Sequence, residues 1–139
     1  MSAQKPKIYT PEEANGVIPR LMEVLPKLKA LRDEVVRIQN KCDVEELTSF
    51  GSSGAVAEEA RAKMDEYQTR IHSIERDFEK RLRFFEEAGC ELKGLDPGLV
   101  DFYAEKDGEL VYLCWREGED RISHWHPLGS GFAGRQPLI

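Results

Sequence analysis

Apolar residues recur every seven positions through the first two-thirds of the chain. One patterned segment starts near Pro19 or Pro26 and ends at Cys42, and a second follows a loop at residues 48–54 and ends at Gly89. The apolar rows are Leu21, Leu28, Val35 and Cys42 with Val24, Leu31 and Ile38, and then Ala60, Tyr67 and Ile74 with Met64, Ile71, Phe78 and Phe85. This period is typical of helices packed lengthwise. Two such segments joined by a loop predict a long antiparallel coiled-coil hairpin.

The start of the helical region carries a capping signal. Thr10 can cap the helix, Pro11 suits its first position, and Glu13 can close a capping box. Pro19 and Pro26 fall inside the apolar pattern, where a proline removes a hydrogen bond and clashes with the preceding turn. We therefore expect the first helix to be kinked near these two prolines.

From Cys90 onwards the apolar period shortens from seven towards two, which is typical of strands. Turn residues separate three β-rich runs, at 99–104, 109–115 and 121–126. Short turns force antiparallel pairing, so these runs predict a small three-stranded antiparallel β-meander. The tail from Pro127 is rich in glycine and proline and predicts an irregular wrap.

These elements predict an α+β fold within a single domain, 1–139. The helical hairpin would form one lobe, 10–89, and the sheet with the tail the other, 90–139. Three short strands rarely fold alone, so the second lobe is expected to depend on the first.

Charge and cysteine content narrow the functional classes. The net charge is −6, which argues against nucleic-acid binding, because phosphate contacts need an excess of Lys and Arg. No apolar run approaches the ~18 residues of a membrane span, and no signal peptide is evident. Three widely spaced cysteines, Cys42, Cys90 and Cys114, predict buried, reduced thiols. Together these features favour a cytoplasmic location.

A pair of histidines offers the clearest candidate chemistry. His124 and His126 would lie on one face of a strand, about 6.6 Å apart along the chain. With Glu119 or Asp101 nearby, they could hold a divalent metal such as Zn, Mn or Fe. A His-x-His pair alone is a weak signal, and ordinary hydrogen-bonded sheet residues are the favoured interpretation.

Asp101 and Arg135 form a second candidate site, for a ligand. Asp101 stands among apolar neighbours, where an unpaired charge is costly, and Arg135 in the tail is a candidate partner. Such a pair would pin the tail onto the sheet. Alternatively, Arg135 could clamp an anionic ligand. The sequence leaves these two interpretations open.

Three further residues have mainly structural interpretations. Trp115 and Trp125 are ligand-stacking candidates, but alternation places them opposite the polar groups, so core packing is favoured. Cys114 could be a nucleophile with His126 as its base. An apolar strand raises a thiol pKa, however, which disfavours that role.

Several segments carry a resemblance to a known family. They are Thr10–Pro19, Gly98–Phe102, Leu113–Trp115 with Gly118 and Glu119, Trp125–His126, and Gly131–Leu138. In these segments the chain resembles the bacterial and archaeal proteins of the DUF2203 family, over nearly its whole length. The resemblance implies an intracellular prokaryotic protein and no assigned activity. The family pattern does not require histidine at position 124, so His124 is not implied as part of a shared site.

Two functions follow as hypotheses. The first is a non-enzymatic interaction or scaffold module that self-associates through its helices as a homodimer, since a two-helix seam leaves apolar surface exposed. The alternative is a small metal- or anion-dependent enzyme with a site at the sheet–tail junction, built from Asp101, Glu119, His126 and Arg135.

Overall fold

The computed structural model describes residues 7–138, in which helices come first and strands follow. The helices are α1 Pro11–Asn15, α2 Ile18–Ser49 and α3 Gly54–Ala88; the strands are β1 Cys90–Leu95, β2 Gly98–Lys106, β3 Glu109–Arg116, β4 His124–Pro127 and β5 Gln136–Pro137; and a 3₁₀ helix spans Phe132–Gly134. Within this part of the chain, no helix combines the length and apolar character needed to cross a membrane.

The helical region begins as the capping signal predicts. The Thr10 hydroxyl accepts from the backbone N–H of Glu13 at 3.1 Å, and the Glu13 carboxylate accepts from the Thr10 N–H at 2.9 Å. α1 then ends, and α2 begins at Ile18. The interruption therefore precedes Pro19, which lies in the first turn of α2, where a proline displaces no intrahelical hydrogen bond.

The expected kink or restart at Pro26 is wrong at the level of secondary structure, because Pro26 lies inside continuous α2. A proline in a helix interior costs about 3 kcal/mol. Leu21, Leu25 and Leu28 flank it and are each 0% exposed. Burying a leucine contributes roughly 1.5–3 kcal/mol, so the three together outweigh the proline.

Two compact units divide the described chain. One is Lys27–Arg81, and the other comprises the described residues on either side of it. The division falls within α2 and α3, whereas the sequence pattern placed the lobe boundary at Gly89. The prediction of a single domain stays a prediction.

The unit Lys27–Arg81 is a helical hairpin, as predicted. Ile38 of α2 packs with Ile71 and Ile74 of α3 in a buried cluster. Partly buried side chains border that cluster: Leu31, Val35 and Tyr67. An ion pair of 2.7 Å between Arg70 and Glu34 links the two helices.

The other unit contains an antiparallel sheet of five strands in the order β1-β2-β3-β4-β5. The predicted meander is present as β2, β3 and β4, but the sheet has five strands where three were predicted. β1 was missed because it is half-buried and bulged between Leu92 and Gly94, which breaks the alternation. β5 has two residues, too few to show a period. The third predicted strand is also shorter than expected, since β4 starts at His124.

One face of the sheet is apolar and belongs to the core of this unit. Its buried side chains are Val100, Phe102, Ala104, Val111, Leu113 and Trp115. The ring of Tyr9 meets Phe102 edge-on at 5.0 Å between centroids, and the Tyr9 N–H donates to the carbonyl of Tyr103. At the start of β2, Gly98 leaves room for Leu25, since a Cβ there would lie 2.6 Å from Leu25 Cδ1. The opposite face carries the polar groups.

The glycine that ends α3 provides a test of the fold. Gly89 has φ of 76°, and a Cβ there would lie 3.1 Å from Lys7 Cβ. We expect Gly89→Ala to lower the free energy of unfolding by about 1–2 kcal/mol, because the left-handed region is strained for alanine. Gly129→Ala is the matched control, since its Cβ would meet nothing within 4 Å and its φ is not positive. Equal melting temperatures for the two variants would contradict this account.

Candidate functional site

Register brings the candidate polar residues together on one face of the sheet. Asp101 on β2 is opposite Cys114 on β3. Cys114 is in turn opposite His124 on β4, and His126 on β4 is opposite Tyr112 on β3. Because opposed residues in antiparallel strands point to the same side, all five side chains share this face.

The central contact on this face joins Asp101 to His126. The His126 Nε2 atom lies 3.1 Å from Asp101 Oδ2. The two residues are on strands that flank β3, whose backbones are separated by about 10 Å. Their side chains therefore meet above β3, and their exposed fractions are 4% for Asp101 and 1% for His126.

The acceptors around His126 favour one assignment of the protons in this contact. His126 Nδ1 lies 2.8 Å from the carbonyl oxygen of Pro127, which can only accept, so Nδ1 carries a hydrogen and donates it. A hydrogen bond between Nε2 and Asp101 then needs a second proton. That proton lies either on Nε2, giving an imidazolium beside a carboxylate, or on Asp101, giving two neutral groups. Either way, the buried pair shares one proton.

Cys114 lies beside this pair. Burial raises the pKa of the Cys114 thiol to about 12, and the charge of Asp101 and a hydrogen bond from the thiol to that carboxylate act in the same direction. A protonated, buried thiol is a poor nucleophile, which counts against the hypothesis that Cys114 is a nucleophile with His126 as its base. Ligand atoms of Asp101, Cys114 and His126 all lie within 4.8 Å of one another.

Glu119 organises a second cluster at the tail. Both carboxylate oxygens of Glu119 lie 2.7 Å from the Arg135 guanidinium, and the backbone N–H of Arg116 donates to the same carboxylate at 2.6 Å. Arg135 also donates to the carbonyl of Cys114 at 3.3 Å and lies over the ring of Phe132. The guanidinium thus joins the tail to β3 and to the turn that follows it.

The pairing proposed between Asp101 and Arg135 is replaced by two other pairs. Asp101 bonds His126, while Arg135 bonds Glu119. Register explains the exchange, because the turn after β3 brings Glu119 back beside the tail. Arg135 does hold the tail to the sheet, as one of the two interpretations supposed, but through a different carboxylate.

The histidines are likewise divided between two sites. His124 Nδ1 lies 2.9 Å from the Ser123 hydroxyl and 3.7 Å from Glu119, while His126 faces Asp101. The candidate metal set of His124, His126 and Glu119 is therefore not gathered around one point. Among the residues that the structure describes, the set with ligand atoms close enough to share an ion contains Cys114 instead of His124 and Glu119.

The two tryptophans lie on the apolar face, as alternation predicted. Trp115 is fully buried, and its indole N–H donates to the carbonyl of Glu119 at 2.9 Å. Trp125 pairs with Leu113 across the strands, and Lys106 lies over its ring at 5.2 Å. Neither ring faces the polar site, so the geometry gives no support to their candidacy as ligand-stacking residues.

Sequence reasoning missed two neighbours of the histidine–aspartate pair. One is the thiol of Cys114, which was predicted as a possible nucleophile beside His126 but not as a neighbour of Asp101. The other is Tyr112, whose ring lies 5.3 Å from that of His126. Burial and hydrogen bonds with Glu91 and Tyr103 raise the pKa of Tyr112. No sequence signal marked Tyr112, because tyrosine is common in strands.

The comparisons with known proteins show a family for this chain and add no activity. The model of an uncharacterized conserved protein family, DUF2203, matches residues 7–138. The chain belongs to the DUF2203 family. Searches of curated proteins and of solved structures found no match. Any function for this DUF2203 member must therefore be argued from its own residues.

The buried pair makes a prediction about stability. We expect His126→Ala to lower the free energy of unfolding by about 3–5 kcal/mol, because Asp101 is then left buried without its partner. His124→Ala is the matched control, two residues along the same strand and partly exposed. The His124→Ala substitution should lower the free energy of unfolding by less than about 1 kcal/mol. Denaturant unfolding of both variants gives the comparison, and similar losses would show that the Asp101 contact is unimportant.

The thiols make a prediction about reactivity. All three cysteines are buried and unpaired, and burial raises the pKa of Cys90 as well as that of Cys114 to about 12. We expect slow modification by a thiol reagent at neutral pH, and fast modification after unfolding, because the thiolate is the reactive form. If any of the three thiols reacts as fast in the native protein as it does after unfolding, that cysteine is not buried and the account is contradicted.

Proposed function

We propose that this chain is a non-enzymatic interaction module that self-associates through its hairpin helices. The observation that carries the proposal is apolar surface on the hairpin unit. Its exposed apolar side chains, with exposed fractions, are Val36 53%, Val44 58%, Leu47 77%, Phe50 89% and Val56 61%. Single exposed apolar residues are ordinary, but five within one helical unit indicate a contact surface.

The exposed residues of α2 form a stripe of their own. At 3.6 residues per turn, Val36, Val44 and Leu47 lie within about 80° of one another around the helix. Ile38, which packs inside the hairpin, is roughly 160° from the middle of that stripe. α2 therefore has two apolar sides, and the hairpin uses one of them.

A groove continues this surface across both helices. It has a volume of about 300 Å³. Its apolar lining consists of Leu31, Val35, Val36, Ile74 and Phe78. Arg32 lies at its rim with Glu75 and Glu79, so both signs of charge border the groove. A surface with both charges around an apolar centre suits a two-fold contact with its own copy.

A second copy of the chain is the occupant that these features favour. In a two-fold dimer, the same stripe meets itself, and two hairpins form a four-helix arrangement. Covering an exposed valine or leucine contributes about 1–2 kcal/mol, and each copy offers several. The proposal includes a cytoplasmic location, which unpaired cysteines support.

The enzymatic alternative has less support from the geometry. The Asp101–His126 pair is almost fully buried, so a substrate has no path to it as the chain stands. Arg135 is neutralised by Glu119, which leaves little positive charge for an anionic ligand. An interaction role requires neither group to be accessible.

Sedimentation across micromolar concentrations tests the proposal. We expect a concentration-dependent dimer for the native chain and a monomer for the double variant Val36→Glu/Leu47→Glu. Both positions are exposed in the single chain, so the substitutions should leave folding unchanged while placing charges in the dimer contact. A native chain that stays monomeric would contradict the proposal.

The control places the same charge elsewhere. Leu110→Glu changes an apolar residue of similar exposure, 45%, on β3 outside the hairpin unit. It should dimerise as the native chain does. If Leu110→Glu becomes monomeric and the hairpin variant does not, self-association belongs to the sheet-bearing unit and the proposed contact is wrong.

A further inference from the structure

Three side chains of different chemistry converge above the centre of β3. Asp101, Cys114 and His126 offer a carboxylate oxygen, a sulfur and an imidazole nitrogen, and all three ligand atoms lie within 4.8 Å of one another. The three come from three different strands, so they meet only because the sheet is formed. We propose that these residues bind a Zn²⁺ ion and that the ion stabilises the sheet. This proposal goes beyond the interaction role and involves the other unit.

The distances are close to those of a metal site with short bonds. Zinc binds nitrogen and oxygen at about 2.0–2.2 Å and sulfur at about 2.3 Å in tetrahedral geometry. Ligand atoms around such an ion are therefore separated by roughly 3.3–3.8 Å. The Asp101–His126 separation of 3.1 Å is slightly shorter, and the widest separation in the set, up to 4.8 Å, is longer. A change of about 1 Å in the widest separation would give all three ligand atoms the spacing of a tetrahedral zinc site.

The histidine is already held as metal-binding histidines are held. Its Nδ1–H donates to the backbone carbonyl of Pro127 at 2.8 Å. That bond fixes the ring and directs Nε2 towards Asp101 and Cys114. A backbone carbonyl on the distal nitrogen is a recurrent partner of zinc-bound histidine, where it sets the tautomer and orientation.

Charge balance also suits a divalent ion in this place. A carboxylate and a thiolate together neutralise Zn²⁺, so the filled site has no net charge to bury. Two protons leave when the ion enters: the one shared by Asp101 and His126, and the one on the Cys114 thiol. The sulfur selects zinc over magnesium or calcium, which prefer oxygen ligands.

Three protein ligands leave a fourth position on a tetrahedral ion, which a water molecule can occupy. Burial limits entry into the folded chain, because Asp101, Cys114 and His126 are each almost fully covered. We therefore expect the ion to enter during folding, when the strands assemble around it, rather than to exchange freely in the native state.

Refolding with cobalt or zinc tests the site directly. The full-length chain, without a histidine tag, is diluted from denaturant into buffer containing Co²⁺ or Zn²⁺ and then freed of excess ion. Bound Co²⁺ should show a thiolate-to-cobalt charge-transfer band and the intense visible bands of a tetrahedral site. Bound Zn²⁺ should reach one ion per chain and raise the melting temperature.

Matched variants assign the ligands. Cys114→Ser should remove the charge-transfer band and weaken Zn²⁺ binding by more than the roughly 10–100-fold that loss of an outer-shell partner costs. Cys90→Ser, at another buried strand cysteine, should leave the band and the Zn²⁺ affinity unchanged. His126→Gln should weaken binding to a similar degree, and His124→Ala should not. Circular dichroism of each variant confirms that it is folded. If a serine variant is not folded, alanine replaces serine at that same position, giving Cys114→Ala or Cys90→Ala.

Several outcomes would overturn the site. They are a native chain that takes up no cobalt or zinc on refolding, a cobalt spectrum with no thiolate band, and a band that persists in folded Cys114→Ser. Loss of binding in His124→Ala with retention in His126→Gln would place the ion instead at the Glu119 cluster. Each of these readouts is independent of the oligomeric state, so failure here leaves the dimer proposal standing.

Discussion

The hydrogen bond between Asp101 and His126 is the constraint around which the polar face of the sheet is arranged. It joins two strands that are not neighbours, passing above β3, and both of its members are nearly inaccessible to water. A buried carboxylate without a partner is costly, so the pair favours the one register that brings the two side chains together. A slip of β4 by one residue would direct His126 to the apolar face and leave Asp101 alone.

The neighbouring contacts follow from this register. Cys114 is opposite Asp101, and its thiol donates to the same carboxylate. The carbonyl of Cys114 in turn accepts from Arg135, which Glu119 holds in place. A continuous set of polar contacts therefore runs from the middle of the sheet to the tail, while the apolar face is filled by Phe102, Trp115 and their neighbours.

In the other unit the hairpin has a thin core and exposed apolar side chains. The polar cluster of the chain and its proposed contact surface therefore lie in different units.

Much of the fold could be predicted from periodicity and turn residues. The seven-residue rows identified the hairpin, and Gly89 marked the end of its second helix because a positive φ favours glycine there. The strands that were missed give weak signals for physical reasons: β1 is bulged and β5 has only two residues. The prediction at Pro26 was wrong because the low helix propensity of proline is outweighed by the burial of neighbouring leucines. That burial depends on tertiary packing, which the local sequence does not show.

For the candidate site, the sequence predicted which residues lie together better than it predicted which of them are in contact. Asp101, Glu119, His126 and Arg135 do lie on or beside one polar face, but their partners were exchanged. Alternation along a strand gives the face of a side chain, whereas pairing between strands depends on twist and on the exact turn, which sequence does not specify. Cys114 was considered only as a nucleophile, since its place next to Asp101 appears only when β2 and β3 are aligned.

The protonation of His126 tests the central claim most directly. In the apo protein, nuclear magnetic resonance of the imidazole nitrogens at neutral pH should show a hydrogen on Nδ1 that exchanges slowly, because that atom donates to the Pro127 carbonyl within the buried pair. An Nδ1 that lacks hydrogen, or an imidazole proton that exchanges as fast as that of a free histidine, would contradict the account.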